Sequence, residues 1–185
     1  LKYHTDDLNK ELSFELTKDQ IDEWTNNISL SNNDIEVGEF DDFYSTMLLG
    51  QEPMETCLSY IGGMYNRCLL ACFDSNKKIL YARRNGKIVA RAMVRLTKVK
   101  NQDLKQTSNL SFVDVENEDN DSIDKEYNKE KLTIFLERAY ISGISDDVAH
   151  NIKKMFIKLL ESKAQKMKTL LTLSYFYRGE TNESY

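Results

Sequence analysis

Cys57 is the residue whose chemistry is simplest to name, because a thiolate is a strong nucleophile. It lies shortly before the glycine pair Gly62-Gly63. A catalytic cysteine needs a histidine or a helix start to lower its pKa, and the two histidines of the chain, His4 and His150, are far apart in sequence. Two interpretations of Cys57 follow: the nucleophile of a cysteine-dependent enzyme, or a buried thiol beside a tight turn.

Arginine side chains gather on two neighbouring sequence runs and could bind a phosphate or a carboxylate. The runs flank Asn85-Gly86. Arg91 and Arg95 fall on one face of the second run if it is a strand, because strand residues alternate between faces. We expect an anion-binding site at Arg83, Arg91 and Arg95, or internal pairing of these arginines with the acidic residues at 114–126.

The acidic, Asn-rich stretch at 114–126 invites a comparison with calcium loops. Such a loop needs a central glycine, and the sequence has none between Gly86 and Gly143. Residues 98–130 are too polar to offset the entropy of ordering them, so we predict a mobile acidic insertion there. The cysteines and histidines lack the ligand spacing of a zinc site, and we expect no metal.

Composition bounds the class of protein. A chain of 185 residues with 41% hydrophobic and 30% charged residues is typical of one globular domain, here spanning 1–185. The net charge of −5 argues against a nucleic-acid partner. No apolar run is long enough to cross a membrane, and no signal peptide is recognisable. We therefore expect a cytoplasmic protein with reduced thiols, and the start at Leu1 suggests an excised part of a larger chain.

The elements that must position these residues begin with a mostly helical part at 1–73. Thr17 and Gln20 have the spacing of a capping box, followed by an apolar face that contains Trp24, so we predict a helix at 18–27. Helical spacing also predicts a helix at 40–49, after a loop at 31–34. The run at 64–73 is apolar on most faces and predicts a buried helix.

Strands dominate the rest. Asn85-Gly86 between two β-rich runs is a strong hairpin signal, with strands predicted at 78–83 and 87–97. In the second strand one face should carry the apolar residues Ile88, Ala90, Ala92, Val94 and Leu96. Residues 132–141 alternate as a long strand that is apolar on both sides at its centre, which favours a central position in the sheet.

A long amphipathic helix is predicted at 146–168, followed by a last strand at 169–177. Ser145 is the expected N-cap, and Asp146 and Asp147 suit the positive end of the helix dipole. The apolar stripe runs from Val148 to Met167. The lysines are predicted on the outer face: Lys153, Lys154, Lys158, Lys163 and Lys166.

This succession resembles the core of the GCN5-related N-acetyltransferases over residues 78–177. The segments that carry the resemblance are the hairpin around Asn85-Gly86, the run Leu136-Glu137-Arg138-Ala139-Tyr140-Ile141 at the central strand, and Leu170-Leu171-Thr172-Leu173-Ser174 after the helix. The resemblance implies a mixed α+β fold, with a mainly antiparallel sheet and a long C-terminal helix packed on it.

The family binds the pyrophosphate of acyl-CoA with a Gln/Arg-x-x-Gly-x-Gly/Ala loop at the start of this helix, where backbone amides accept an anion. The corresponding positions here would be Ser142, Gly143 and Ser145, and the second glycine and the Gln/Arg are missing. Asp146 and Asp147 add like charge, each costing on the order of 3 kcal/mol at an effective dielectric near 20. We therefore expect no cofactor.

The hypothesis that follows is a non-catalytic binding or accessory domain that acts with a protein partner or within a parent chain. The alternative is an acyl-CoA-dependent N-acyltransferase with a non-standard loop, which would use acetyl-CoA. In that case Glu137 is the candidate base and Tyr175 or Tyr177 the candidate acid.

Overall fold

The structure of the chain is a computed structural model that describes residues 5–12, 14–100, 130–177 and 180. Its α-helices are α1 (Thr5–Leu12), α2 (Lys18–Thr25), α3 (Phe43–Met47) and α4 (Asp146–Met167). Its strands are β1 (Ser29–Asn32), β2 (Ile35–Phe40), β3 (Lys77–Arg84), β4 (Lys87–Lys100), β5 (Glu130–Leu136), β6 (Tyr140–Ile141) and β7 (Leu170–Leu173). Three 3₁₀ helices lie at Leu48–Gly50, Asn66–Phe73 and Tyr175–Tyr177.

The described strands form one seven-stranded sheet in the order β1-β2-β3-β4-β5-β7, and β6 pairs with β4. All pairs are antiparallel except β5–β7, which is parallel. Parallel neighbours need a crossover, and α4 supplies it. The predicted fold class, a mixed α+β fold with a mainly antiparallel sheet and a long C-terminal helix, is therefore confirmed. The strand–helix–strand order is the one that the acetyltransferase resemblance implies.

One face of the sheet packs against α1, α2 and α4. Trp24 and Phe156 are fully buried there, against alternate residues of the strands. In β4 the residues on this face are Ala90, Ala92, Val94 and Leu96. Small side chains at 90 and 92 let the helices approach closely, so the main core lies between the sheet and α4.

The opposite face of the sheet is covered by residues 43–73. A smaller second cluster forms there from Leu49, Leu69, Cys72, Ile79 and Tyr81. The Tyr81 hydroxyl donates to the Ser45 carbonyl at 2.8 Å and ties α3 to the sheet. This face carries Arg91 and Arg95, because they alternate with the residues of the main core.

The β3–β4 hairpin is confirmed at its predicted turn. Asn85 and Gly86 have φ of 51° and 77°, which is the conformation that Asn-Gly favours in a two-residue turn. The pairing register shifts between Ala82 and Arg83. Because of this irregularity Ile88 packs against the second cluster, so its predicted place on the face of Ala90 is wrong.

The prediction of a mostly helical first third is only partly right. The capping box is confirmed, since the Thr17 amide and hydroxyl exchange hydrogen bonds with Gln20 at 3.0 and 3.2 Å. The loop predicted at 31–34 overlaps the turn of the β1–β2 hairpin, which was not predicted and which pairs with β3. The helix predicted at 40–49 is confirmed in part: Phe40 ends β2, and α3 is followed by the 3₁₀ helix Leu48–Gly50.

Two further elements differ from the prediction. The segment 64–73 is a largely exposed 3₁₀ helix that buries Leu69 and Cys72, rather than a buried α-helix. The last strand ends at Leu173, and Tyr175 and Tyr177 lie in a 3₁₀ turn, because the chain leaves the sheet once its pairing with β5 ends.

Lys163 is buried, which contradicts its prediction on the outer face of α4. Its ammonium group lies 2.6 Å from the Glu39 carboxylate and donates to the Asn26 carbonyl at 2.8 Å. Lys78, also buried, lies 4.0 Å from the same carboxylate. Both lysines lie within 6 Å of the Trp24 ring. The α4 position turns inward because Glu39 on β2 supplies the opposite charge.

The acidic insertion predicted at 98–130 lies mostly outside the described residues. Among the helices that the structure describes, none combines the length and apolar character of a bilayer-spanning segment.

Candidate functional site

The strand predicted at 132–141 is interrupted at its centre. Leu136 pairs with Val94 and Tyr140 pairs with Arg91, so four steps on one strand oppose three on β4. One extra residue makes this a β-bulge. The Glu137 amide still donates to the Met93 carbonyl at 2.9 Å. Bulges redirect side chains and often lie beside functional sites.

Side chains at the bulge form a series of stacked cations and rings. The Arg138 guanidinium lies 4.5 Å from the Phe176 ring and 5.3 Å from the Tyr140 ring. The Arg91 guanidinium also lies over the Tyr140 ring, 4.3 Å from its centroid. Tyr140 therefore contacts two cations, each attracted by the ring quadrupole.

Glu137, the candidate base, is held in an ion pair. Its carboxylate lies 2.6 Å from Arg95 Nε, and both side chains are partly exposed. The carboxylate that would act as a base is therefore already engaged by a cation. Arg95 is thereby neutralised by Glu137, as an alternative to the pairing with residues 114–126 predicted from the sequence.

The two candidate acids lie in the turn after β7 and differ in environment. Tyr175 is 67% exposed, and its ring is 4.0 Å from that of Phe176. Tyr177 is buried and donates its hydroxyl to the Glu137 carbonyl at 3.0 Å. Burial raises the pKa of the Tyr177 hydroxyl. Tyr177 therefore links the ends of β5 and β7, while Tyr175 faces solvent.

The start of α4 holds the candidate phosphate-binding residues. The Ser142 amide donates to the Val89 carbonyl at 3.0 Å, and Gly143 has φ of 72°, a conformation that glycine adopts without strain. Ser145 occupies the N-cap position as predicted, but its side chain makes no capping hydrogen bond. Asp146 and Asp147 are exposed, so water screens their repulsion of an anion.

The three candidate anion-binding arginines share a face but are not brought together. Arg83 stacks on the Phe40 ring at 4.5 Å, and Arg95 pairs with Glu137. Arg91 is 2% exposed and donates from Nη2 to Thr56 Oγ1 at 3.0 Å. Arg91 and Arg95 are four residues apart on one strand, about 13 Å, so they act separately.

Cys57 is exposed, in a turn rather than the core. Its carbonyl accepts from the Tyr65 amide at 2.8 Å, and a Cβ at Gly63 would lie 2.5 Å from that oxygen. His150 Nδ1 lies against the Glu180 carboxylate, and His4 lies outside the described residues. Within the described chain the Cys57 thiol has no hydrogen-bond partner, and its role as a nucleophile stays a prediction.

Metal binding has no support in the part of the chain that the structure describes, which contains no group of three His, Cys, Asp or Glu side chains able to hold an ion.

Sequence reasoning missed Arg138, Tyr140 and Thr56. The sequence did contain a signal for the position of Tyr140: it alternates with Ala139 in a predicted strand, which assigns it to one face of that strand. Thr56 had none, because its contact with Arg91 joins residues 35 apart in sequence. The bulge at Arg138 could not be predicted either, because the alternation of residues 132–141 continues through it.

Comparison with known proteins gives a resemblance of fold. No family model matches the chain, and no curated protein matches it. A crystal structure of a predicted acetyltransferase with acetyl-CoA from Clostridium acetobutylicum matches 82% of this chain and 94% of its own, with 13% sequence identity and a TM-score of 0.37. This chain thus resembles that acetyltransferase in the general course of its backbone.

Proposed function

We propose that this chain is a non-catalytic binding domain on an acetyltransferase-like fold, and that residues 43–70 receive a protein partner. The observation that carries the proposal is an apolar surface on that segment. Eight large apolar or aromatic side chains of the segment are exposed and form this surface: Phe43, Tyr44, Met54, Tyr60, Ile61, Met64, Tyr65 and Leu70.

The size of the apolar surface supports a protein partner. Exposure reaches 70% for Tyr44 and 81% for Met64. If a fully exposed large side chain presents about 200 Å², the eight exposures add up to about 1,000 Å². This sum is comparable with the area that one partner buries in a standard interface.

The ends of β5 and β7 support the absence of acyl transfer. Ligands of sheets with parallel strands bind outside the carboxyl ends of those strands. Here Tyr177 occupies that position, buried and hydrogen-bonded to the Glu137 carbonyl. The Glu137 carboxylate is paired with Arg95. Of the candidate catalytic groups, Glu137 and Tyr177 are thus engaged in internal contacts, while Tyr175 is exposed.

A titration with acetyl-CoA tests the non-catalytic part of the proposal. We expect the melting temperature to stay unchanged as acetyl-CoA reaches millimolar concentration, because ligand binding would raise it in proportion to the logarithm of ligand concentration. A rise that is already measurable at micromolar acetyl-CoA and continues with the logarithm of its concentration would overturn the proposal. Desulfo-coenzyme A serves as the control for weak nucleotide binding.

One observation favours the alternative, an N-acyltransferase with a non-standard loop. The unused Ser145 hydroxyl leaves the first amides of α4 without a side-chain acceptor, and such amides attract anions. In this case acetyl-CoA binds, and Glu137→Gln abolishes transfer to an amine while the melting temperature changes little. Full activity in that variant would remove Glu137 from the mechanism.

Variants of the apolar surface test the partner-binding part. We expect Phe43→Ser/Met64→Ser/Leu70→Ser to keep its melting temperature, since these side chains are mostly exposed. Proteins cross-linked to the wild-type chain should be lost in this variant and retained in Tyr175→Ser, an exposed aromatic elsewhere. Equal capture by all three would contradict the proposal. Sedimentation velocity identifies the case in which the partner is a second copy.

A further inference from the structure

Arg91 is a buried cation beneath the turn that carries Thr56. It is 2% exposed, and Nε has no hydrogen-bond partner among the described residues. Its contacts are the Thr56 hydroxyl, 3.0 Å from Nη2, and the face of the Tyr140 ring. A guanidinium has five N–H donors in a planar fork. The Nε–H of this fork is therefore left for another acceptor.

No carboxylate of the described chain forms an ion pair with Arg91. Two other arginines each pair with a carboxylate: Arg84 with Asp34, and Arg95 with Glu137 at 2.6 Å. Arg91 differs from them in this respect. The ionisable groups that face Arg91 are the two phenols and two thiols of Tyr81, Tyr140, Cys72 and Cys57. None of these four groups is a carboxylate.

Burial makes this charge unfavourable in the free protein. It lowers the pKa of the Arg91 guanidinium and raises the pKa of the neighbouring Cys72 thiol to about 11, which keeps that thiol neutral. A cation–π contact offsets part of the loss of hydration. A buried charge without a counter-ion is otherwise rare, and functional sites are where such costs are tolerated.

We propose that Arg91 binds the carboxylate of a small monoanionic ligand with an apolar body, beneath the Thr56 turn. Among the described residues the site offers one positive charge without a carboxylate partner, because Glu137 pairs with Arg95. A single guanidinium matches a carboxylate through two parallel hydrogen bonds, whereas a phosphate dianion calls for a second cation. Tyr140 and the second cluster around Tyr81 supply an apolar, aromatic surface for the rest of the ligand.

Entry of such a ligand requires movement of the Thr56 turn. The turn is attached through the Thr56 amide, which donates to the Gly50 carbonyl at 2.9 Å, and through the Thr56 hydroxyl on Arg91. The Thr56 hydroxyl accepts the hydrogen bond from Arg91 Nη2 that the ligand carboxylate would accept. Binding of the carboxylate would therefore displace this hydroxyl from Arg91. Thr56 belongs to residues 43–70, so the site shares that segment with the proposed partner-binding surface, while its own test does not require a partner.

Benzoate is the probe for the proposal, with benzamide as its uncharged counterpart. We expect benzoate to shift the Arg91 Nε–H resonance saturably, with a dissociation constant on the order of 1 mM, and benzamide and inorganic phosphate to leave it unchanged. Arg91→Met should weaken benzoate binding at least tenfold, while Arg83→Met, on the same sheet face, binds normally. Absence of a saturable shift with benzoate, or a shift with phosphate alone, would overturn the assignment.

Stability provides a second measurement that needs no ligand. If Arg91 lacks a counter-ion, Arg91→Met removes an uncompensated charge and raises the melting temperature of the free protein. A fall in melting temperature would mean that the chain itself neutralises Arg91, and the proposal would be wrong. Arg95→Met is the matched control: it breaks the ion pair with Glu137 and should not raise stability.

Discussion

Buried charges on the helical face show how single residues of this chain depend on distant partners. Glu39 and Lys163 are 4% and 0% exposed. The Glu39 carboxylate also accepts from the Ile28 amide at 3.1 Å, so one oxygen serves both α4 and the start of β1. Removing one partner of a buried pair is costly, because the other charge remains in a poorly solvated site.

Glu39→Gln should therefore destabilise the chain strongly. The amide retains the shape and an acceptor for Ile28 but leaves the Lys163 ammonium without its carboxylate, which predicts a loss of about 3–5 kcal/mol in the free energy of unfolding. Urea denaturation followed by Trp24 emission measures it. Glu36→Gln, an exposed carboxylate on the same strand, is the control. A loss below about 1 kcal/mol for Glu39→Gln would contradict the importance of the pair.

Lys78 gives a pH dependence of defined sign. Burial lowers its pKa from 10.5 to about 8 in the folded state. Between these values the unfolded chain holds a proton that the folded chain releases, so this group makes stability rise with pH through that window. The destabilisation that comes from burying the charged ammonium group is fully present below pH 8.

The measurement compares the wild type with Lys78→Met in urea at several pH values across that window. The stability of the wild type relative to the variant should increase as pH rises, because methionine does not titrate. If the stabilities of the two proteins changed with pH in parallel, Lys78 would have the same pKa in the folded and unfolded states, and the prediction would be wrong. The difference between the two proteins cancels the opposing contribution of Cys72, whose pKa is raised to about 11.

At the level of elements, helix starts in this chain are satisfied in two ways. The start of α2 has a complete capping box between Thr17 and Gln20. The start of α4 has a serine at the N-cap position that makes no such bond. The difference matters for function, since uncapped amides are available to other acceptors.

Alanine substitutions distinguish the two helix starts. Thr17→Ala should lower the free energy of unfolding by about 1 kcal/mol, because it removes the acceptor for the Gln20 amide. Ser145→Ala should change it by less than about 0.5 kcal/mol. Urea denaturation of both variants tests the contrast, and an equal loss at both positions would show that Ser145 caps α4 in solution.

At the level of the whole molecule, one sheet separates two apolar clusters of unequal size. The main cluster involves three helices and most of the strands. The second cluster rests on a few side chains under the short helices of 43–73. Small units with exposed apolar residues open more readily than the main core, which suits a segment that binds partners and has to move for Arg91 to be reached.

Thiol labelling in urea compares the opening of the two sides. In a Cys57→Ser/Cys68→Ser background, Cys72 reports the second cluster and Trp24, the single tryptophan, reports the main one. We expect Cys72 to become reactive at a lower urea concentration than that at which Trp24 emission changes. Coincident transitions would indicate that the chain unfolds as one cooperative unit.

Local sequence patterns determined the elements whose stabilising contacts are short in range. The Asn85-Gly86 turn, the capping box at Thr17 and the apolar stripe of α4 could all be read from neighbours within a few residues, because turn chemistry and helical periodicity are local. The β1–β2 hairpin could not, since it is stabilised by pairing with β3, a strand distant in sequence.

The tertiary structure alone decided which charged side chains are buried and what surrounds the candidate site. Glu39 and Lys163, which are 124 positions apart in sequence, form a buried ion pair, and the burial of a lysine depends on the partner that another element supplies. The same holds for Arg91, whose type and strand face were evident from the sequence, while its enclosure by Thr56 and Tyr140 was not. Charge and hydrogen-bond balance are set by long-range packing, and a one-dimensional pattern contains no distance between residues that folding brings together.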